Sequence, residues 1–440
     1  MKNILLPFVR KLITRFNLIG LTARLRLPGI AALLARAMSL AIDRQSCHTV
    51  LCIGRPIFDE DIEELAEFGG TLNYLIVPKI VFVEIFRHFA PQLLLNHAKY
   101  HETQGYDQEK LRCRSFYEDF LYKFSKLVRI DAILTANYNY SWQQEFAVAA
   151  RNRGVPFVVL FKEGISPLYA EGDDPQKAYD LVIAKYTNNF FIGDGLLVYN
   201  ERIKQGFSNI NIAGIGPDIV EAVGIPRFDR YFHLDNAGSS VVFFSFNFED
   251  KARHLGLTAD EFEKYLEKTR DFHVEVMRFA AAHPELRVIV KTKNNLKYLR
   301  YVEDIAAETG CAGLANLTLT NHGNVYDLIK GARAVIGYNS TTLLEAFAAR
   351  RIVMSADFRW GLVRDYFDEH PGLPNYVATA EDIAAVLASD SAGRSLDDPE
   401  LYSLLHERVH IPDGKASARA EAAIERVIRT HGQAKLSGTP

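Results

Sequence analysis

The chain holds two successive series of short, nearly uninterrupted apolar runs, separated by segments of helical periodicity. No other feature restricts its fold so strongly. In the first series, TVLCIG (Thr49–Gly54), TLNYLIVP, DAILTAN, VPFVVLFKEG and GLLVYN read as strands. DEDIEELAEFGG and YSWQQEFAVAARNRG read as helices closed by Gly69-Gly70 and by Gly154. The second series begins near Ser239 with SSVVFFSFNF, then a long helix capped by Thr258 and stopped at Pro284. LRVIVKTK, NLTLT, AVIGYN and RIVMSAD follow as strands, each after a helical segment. Strands apolar at nearly every residue are buried on both faces, so parallel sheets covered by helices on both sides are expected. Two such series predict an α/β chain of two doubly wound domains facing across a cleft. The 440 residues suffice for two cores of about 200 residues each.

The boundaries that follow are 1–45 for a basic amphipathic N-terminal segment, 46–228 and 229–400 for the two domains, and 401–440 for a C-terminal helix and tail. Pro, Asp, Asn, Gly and Ser cluster between Pro226 and Ser240, where the joint is placed. The tail from Lys435 is expected to be disordered. Residues 1–42 carry seven Lys or Arg and no acid, interleaved with Leu, Ile and Phe. Such a segment suits an anionic membrane surface, or it packs on the body and shows its arginines to water.

A net charge of −3 marks no general nucleic-acid binder. Cys47, Cys52, Cys113 and Cys311 form no C-x-x-C pair and no zinc spacing, and read as reduced, buried thiols of a cytoplasmic protein. G-x-S-x-G and Walker sequences are absent, so α/β-hydrolase and P-loop chemistry lack their key residues. No metal and no cofactor is expected.

In doubly wound domains, ligands bind beyond the carboxyl ends of the strands. Residues that follow strands are therefore the candidates. Asn339, Ser340, Thr341 and Thr342 open a helix, where free N–H groups, hydroxyls and the positive dipole end suit a phosphate. Glu345 shares a helix face with Thr341 and can accept from ribose hydroxyls. Thr342-x-x-Glu345 also fits a capping box that needs no ligand. Lys291 and Lys293 alternate at a strand end and can neutralise phosphate, or they are surface lysines. Ser245 and Asn247 can meet phosphate or base, or satisfy their own loop. Lys162, Glu163 and Gly164 leave a very apolar strand. Glu163 is a candidate general base for a hydroxyl nucleophile, or half of a loop salt bridge. Gly164 permits a sharp turn there. Asn137, Tyr138 and Tyr140 can line a sugar pocket, and Arg227 sits at the joint, near an anion or as a hinge clamp.

GLLVYNERIKQGF, VEAVGIPRFDRY, VIVKTK and NVYDLIKGARAVIGYNSTTLLEAFAARRIVMS together resemble the second half of GT-B glycosyltransferases of bacterial surface polysaccharide synthesis. The likeness is to the group of capsule Kdo transferases, bacterial sialyltransferases and CDP-glycerol glycerophosphotransferases. It covers roughly Ala132 to Asp357. It implies two Rossmann-like domains and transfer of a sugar or sugar-like group from a nucleotide-activated donor, a CMP- or CDP-linked one favoured. The acceptor would be a hydroxyl of a surface polysaccharide or lipid-linked glycan, and the basic N-terminus would hold the cytoplasmic chain at the inner membrane face. Lys291 and Lys293 match the family's basic strand end, Ser340, Thr341 and Glu345 its S-[ST]-x-x-x-E helix start, and Glu163 its catalytic carboxylate before Gly. Where those enzymes show His-Pro after the basic strand, this chain has Lys-Thr-Lys alone. A nucleotide-sugar 2-epimerase and a non-catalytic scaffold of the same fold are the alternatives.

Overall fold

The computed structural model describes residues 2–437 except 56, 96–98, 188–189, 217, 235–237, 248–254, 256 and 390–392, with side chains from 5 to 431. Part of the 226–240 joint, the end of SSVVFFSFNF and residues 438–440 lie outside the described residues.

The apolar runs build two sheets. The first has seven strands in the order β1-β3-β2-β4-β5-β7-β8. They are β1 (Leu40–Ile42), β2 (Thr49–Gly54), β3 (Asn73–Pro78), β4 (Ala132–Thr135), β5 (Phe157–Phe161), β7 (Gly195–Val198) and β8 (Val220–Ala222). All neighbours are parallel except β1, which adds antiparallel to β3 and brings Leu40–Ile42 of the N-terminal segment into this sheet. The second sheet is wholly parallel, in the order β11-β10-β9-β12-β13-β15. Its strands are β9 (Ser240–Phe244), β10 (Val288–Lys291), β11 (Leu317–Thr320), β12 (Ala332–Gly337), β13 (Ile352–Ala356) and β15 (Asn375–Val377). Between the sheets' segments, β6 (Tyr169–Ala170) and β14 (Val363–Arg364) pair as a two-stranded antiparallel ribbon.

Strand β9 shows why the runs are continuous. Val241 and Phe243 face one apolar cluster, with Phe272 and Val276 of the helix Ala259–Ala282. Val242 and Phe244 face the other, with Leu343 and Phe347 of the helix Thr341–Ala348. Burying a Val or Phe contributes about 1.5–3 kcal/mol, so each face holds a helix layer. The second of these clusters also contains Val159 and Leu197 of the first sheet. One apolar core therefore runs across both sheets.

Thr258 caps its helix through a reciprocal box with Glu261, as expected. The last helix, Ala416–Ser437, returns to the first sheet. There Glu421 accepts from Thr71 Oγ1 at 2.6 Å and from the buried Tyr74 hydroxyl at 2.6 Å. This helix continues past Lys435, where the sequence suggested a disordered tail. The first 38 residues form three helices, α1 (Lys2–Arg15), α2 (Leu18–Arg24) and α3 (Pro28–Met38). Helix α3 packs against the helix Asp107–Ser125, and its Ala31 and Ala35 are fully buried. Among the described residues no helix is long and apolar enough to cross a membrane.

Candidate functional site

The register sets the strand ends level. In the first sheet Gly54 pairs with Pro78, Cys52 with Leu134, Thr135 with Val159 and Phe161 with Val198. Arg55, Asn137 and Glu163 therefore emerge at one edge. Gly164 has φ +87°, a backbone that only glycine adopts without strain, and it turns the chain directly after Glu163. Lys162 Nζ lies 2.8 Å from Glu163 Oε1, and Asn137 Nδ2 donates to the same oxygen at 3.2 Å. The salt bridge considered from sequence is thus present, and a third residue joins it.

This edge carries unsatisfied polar atoms. Asn137 Oδ1, Asn139 Oδ1, Gln143 Oε1 and Arg55 Nη1 are buried without a partner among the described residues. Asn137, Asn139 and Gln143 are at most 6% exposed. A buried carbonyl oxygen left unpaired costs about 1–3 kcal/mol. Three such oxygens fall within seven residues, so this edge keeps acceptor capacity that the protein does not fill. Arg55 was not singled out from sequence, although it follows a strand as the others do. Its Nη2 donates to the Tyr140 hydroxyl at 2.6 Å and its guanidinium stands 4.4 Å over that ring. Tyr138 does not line a pocket as expected. Its ring is buried edge-on against Phe191, centroids 4.9 Å apart, because the inward position at this corner belongs to the core.

The second sheet is level too: Lys291 pairs with Phe244 and Thr320, and Gly337 with Ser355. Its polar groups bond mainly to the protein. His273 is fully buried, and burial lowers its pKa to about 4, so it is neutral. Its Nδ1 lies 2.7 Å from the Thr269 carbonyl, which can only accept, so the proton is on Nδ1. Nε2 then accepts from Ser245 Oγ at 2.9 Å. The Ser245 hydroxyl hydrogen is thereby spent, and its oxygen offers lone pairs only. Phosphate, which also only accepts at that position, is a poor match; a ribose hydroxyl or a base N–H is a good one.

Lys291 is 9% exposed and donates to the carbonyls of Thr292 (2.6 Å) and Asn321 (3.1 Å). Burial holds its ammonium below its usual pKa. It braces the strand ends, with one N–H remaining. Lys293 is exposed, its ammonium 5.6 Å from the Tyr298 ring. Asn339 takes the left-handed conformation at φ 40°, which asparagine tolerates, and turns the chain into the helix Thr341–Ala348. Ser340 is the N-cap and accepts from Thr342 Oγ1 at 2.9 Å. The capping box through Thr342 and Glu345 therefore does not form.

Glu345 faces away from the helix start, into the joint between the sheets. It is 5% exposed, accepts from the Tyr231 hydroxyl at 3.1 Å and lies 3.8 Å from Arg227 Nε. Burial pushes its carboxyl up to about 7, against the pull of Arg227. Arg227 also meets Asp61 at 3.2 Å and the Tyr199 hydroxyl at 3.0 Å. This closed cluster ties the helix Phe58–Glu64, the end of β7 and the helix Thr341–Ala348 together. Of the two sequence readings of Arg227, the geometry is that of the clamp.

A cavity of about 600 Å³ lies between the domains. Ser166, Tyr169, Lys177, Lys185 and Tyr186 line it from the first, Asn339 from the second. Glu163 is close by: burial and the Glu163 charge hold the Tyr186 phenol above its ordinary pKa. The β6–β14 ribbon spans the two domains beside it, reinforced by Glu171 N donating to Leu362 O at 2.7 Å. Asn247 lines a separate cavity of about 700 Å³, with Glu263, Arg270, Lys297 and Tyr301. Among the described residues no group of three or more His, Cys, Asp or Glu is placed to hold a metal ion.

No family model matches the sequence, and no curated protein matches it. Solved structures do resemble it. A Listeria monocytogenes protein described as a UDP-N-acetylglucosamine 2-epimerase has a TM-score of 0.51 at 11% identity, covering 90% of this chain and 98% of its own. The UDP-GlcNAc 2-epimerase of Neisseria meningitidis, bound to UDP-GlcNAc, gives 0.45 at 12% identity, covering 87% and 100%. A trehalose-6-phosphate synthase gives 0.43 at 12% identity, covering 86% and 98%. The likeness to the Listeria protein, over nearly the whole of both chains, is one of fold. The fold is GT-B: two Rossmann-like α/β domains facing across a cleft.

Proposed function

We propose that the protein is a glycosyltransferase that moves a sugar or sugar-like group from a nucleotide-activated donor to a hydroxyl of a surface polysaccharide or lipid-linked glycan. The observation that carries this reading is the Lys162–Glu163–Asn137 group beside the interdomain cavity, amid unpaired amide oxygens. Both protein contacts of Glu163 fall on Oε1, leaving Oε2 to accept from an acceptor hydroxyl. Glu163 takes that proton as the hydroxyl oxygen attacks the donor's anomeric carbon. The bond from that carbon to the phosphate oxygen breaks, and the nucleotide leaves with the electron pair. The charge developing on phosphate meets the Thr341 hydroxyl, the N–H at the start of its helix and Lys293. Ser245 accepts from ribose or base. Asn137, Lys162 and Arg55 orient the acceptor. Cytidine nucleotides are favoured by the sequence resemblance.

A nucleotide-sugar 2-epimerase is the second reading, the activity in the Listeria protein's description. It would act without an acceptor and exchange the proton at C2 with solvent.

A thermal-shift series with CMP, CDP, UDP, GDP and ADP on wild type and Thr341→Val tests the proposal. Stabilisation by one nucleotide, reduced in Thr341→Val, is expected. Stabilisation by none would overturn it. Deuterium entering C2 of a nucleotide sugar, without acceptor, would replace transfer by epimerisation.

A further inference from the structure

The helices α1–α3 bury one side of their apolar residues and expose the other. Ile13, Ile19, Ala23 and Ala32 are at most 4% exposed and belong to the main core. Leu5, Phe8, Leu12 and Phe16 recur at spacings of three and four, so they form one stripe along α1 and into the turn beyond it. That stripe faces water: Phe8 is 65% exposed and Phe16 62%. Nine of the 21 exposed large apolar side chains among the described residues fall between Leu5 and Leu33. Single exposed leucines are ordinary, but this concentration on three adjoining helices and the turns between them points to an interaction surface.

Its charge says what covers it. The same 42 residues hold seven cations and no anion. Arg10 is turned inward, donating from Nε to Met38 O at 2.8 Å. Lys11, Arg15, Arg24, Arg26 and Arg36 are exposed among the apolar side chains. Lys123 continues the positive surface at the start of α3, where its Cγ lies within 3.8 Å of a Cβ built on Gly29. A second copy of this chain would bring five exposed cations against five, with no acid within the segment to offset them. An anionic bilayer offers both complements: phosphate headgroups for the cations and the acyl boundary for Phe, Leu and Ile.

We propose that α1–α3 form a membrane-docking face that lies in the interface of an anionic bilayer, with Phe8 and Phe16 inserted and Lys11, Arg15 and Arg24 at the headgroups. Docking here would hold the chain where lipid-linked acceptors reside, but it does not rest on the transferase reading. The binding is measured with no substrate present.

Co-flotation of the full chain with phosphatidylcholine vesicles, with and without phosphatidylglycerol, tests it. Wild type is expected to float with the anionic vesicles and about tenfold less with neutral ones. The double variant Phe8→Ser, Phe16→Ser removes only exposed side chains. It should keep the wild-type melting temperature and lose about tenfold in vesicle recovery. Arg15→Glu with Arg24→Glu should abolish the preference for anionic lipid. No recovery of wild type with either vesicle would overturn the proposal. So would a wild-type dimer that Phe8→Ser, Phe16→Ser dissociates, because the face would then belong to a second copy.

Discussion

The carboxyl edges of the two sheets are built from the same kind of strand, yet they treat their polar residues in opposite ways. At the first edge Asn137, Asn139, Gln143 and Arg55 keep buried atoms unpaired. At the second, Ser245 is held by His273, Lys291 by two carbonyls, Thr342 by Ser340 and Glu345 by Tyr231. Unpaired buried groups are tolerated when a ligand supplies the missing partners. Groups bonded to the protein are fixed before any ligand arrives and cost no reorganisation when it binds. The first edge therefore suits a polyhydroxylated molecule with many donors. The second suits a fixed cradle for one rigid ligand.

The sharpest way to break this comparison is Glu163→Gln. Glutamine keeps the size and an oxygen for the Asn137 donor but cannot take a proton. Transfer should fall about 10³-fold, near 4 kcal/mol. The nucleotide-induced thermal shift should persist, because it reads the other edge. Wild-type turnover in an acceptor-transfer assay would remove Glu163 as the base. Loss of the thermal shift would mean that the two edges do not act separately.

A smaller effect separates the clamp from the second edge. Glu345 and Glu64 both have carboxyls pushed up to about 7 by burial, opposed by Arg227 and Arg230 respectively. Their ordinary value is 4.5. The folded state thus binds these protons more tightly than the unfolded one. That stability is full below about pH 4.5 and is lost as pH rises through about 7. Denaturation midpoints should fall between pH 5 and pH 8. Glu345→Gln should remove about 2–3 kcal/mol of that fall and leave nucleotide affinity within about twofold. A slope as steep as wild type would mean that Glu345 is ionised beside Arg227 in the fold. A tenfold loss of nucleotide affinity would return Glu345 to the ribose.

Both sheets were legible in the sequence because a strand buried on two faces has no polar face to hide it. Val241 to Phe244 is such a case. The two-residue strands β6 and β14 are too short for any period to register. Asn137, Lys162 and Glu163 were reached by one rule, that ligands meet the residues after parallel strands. The same rule covers Arg55, which lies one residue past Gly54. Glu345 and Arg227 could be placed near the joint but not oriented, since their spacing allows a turn toward the cleft or toward the other domain. Burial of the Arg227–Asp61 pair decides it, and Asp61 is 166 residues away in sequence. The exposed stripe of α1 was half legible. Its composition suggested a surface, and only the packing of Ile13 and Ile19 shows which side faces out.

The smallest effect tests the second edge by the direction of one hydrogen bond. Ser245 gives its proton to a neutral histidine, so it can only accept from a ligand. Ser245→Ala deletes an acceptor and leaves His273 Nε2 without its donor. A neutral hydrogen bond contributes about 1 kcal/mol, which is roughly fivefold in nucleotide affinity. Inorganic pyrophosphate keeps only about one acidic proton near neutral pH and presents mainly acceptor oxygens to Ser245, so its affinity should change far less. Calorimetric titration of both ligands into wild type and Ser245→Ala reads the difference directly. If pyrophosphate weakens as much as the nucleotide, Ser245 donates to phosphate and the His273 tautomer is the reverse of that fixed by the Thr269 carbonyl. If only the nucleotide weakens, the second edge discriminates by accepting hydrogens, as the amide oxygens of the first edge would do for an acceptor.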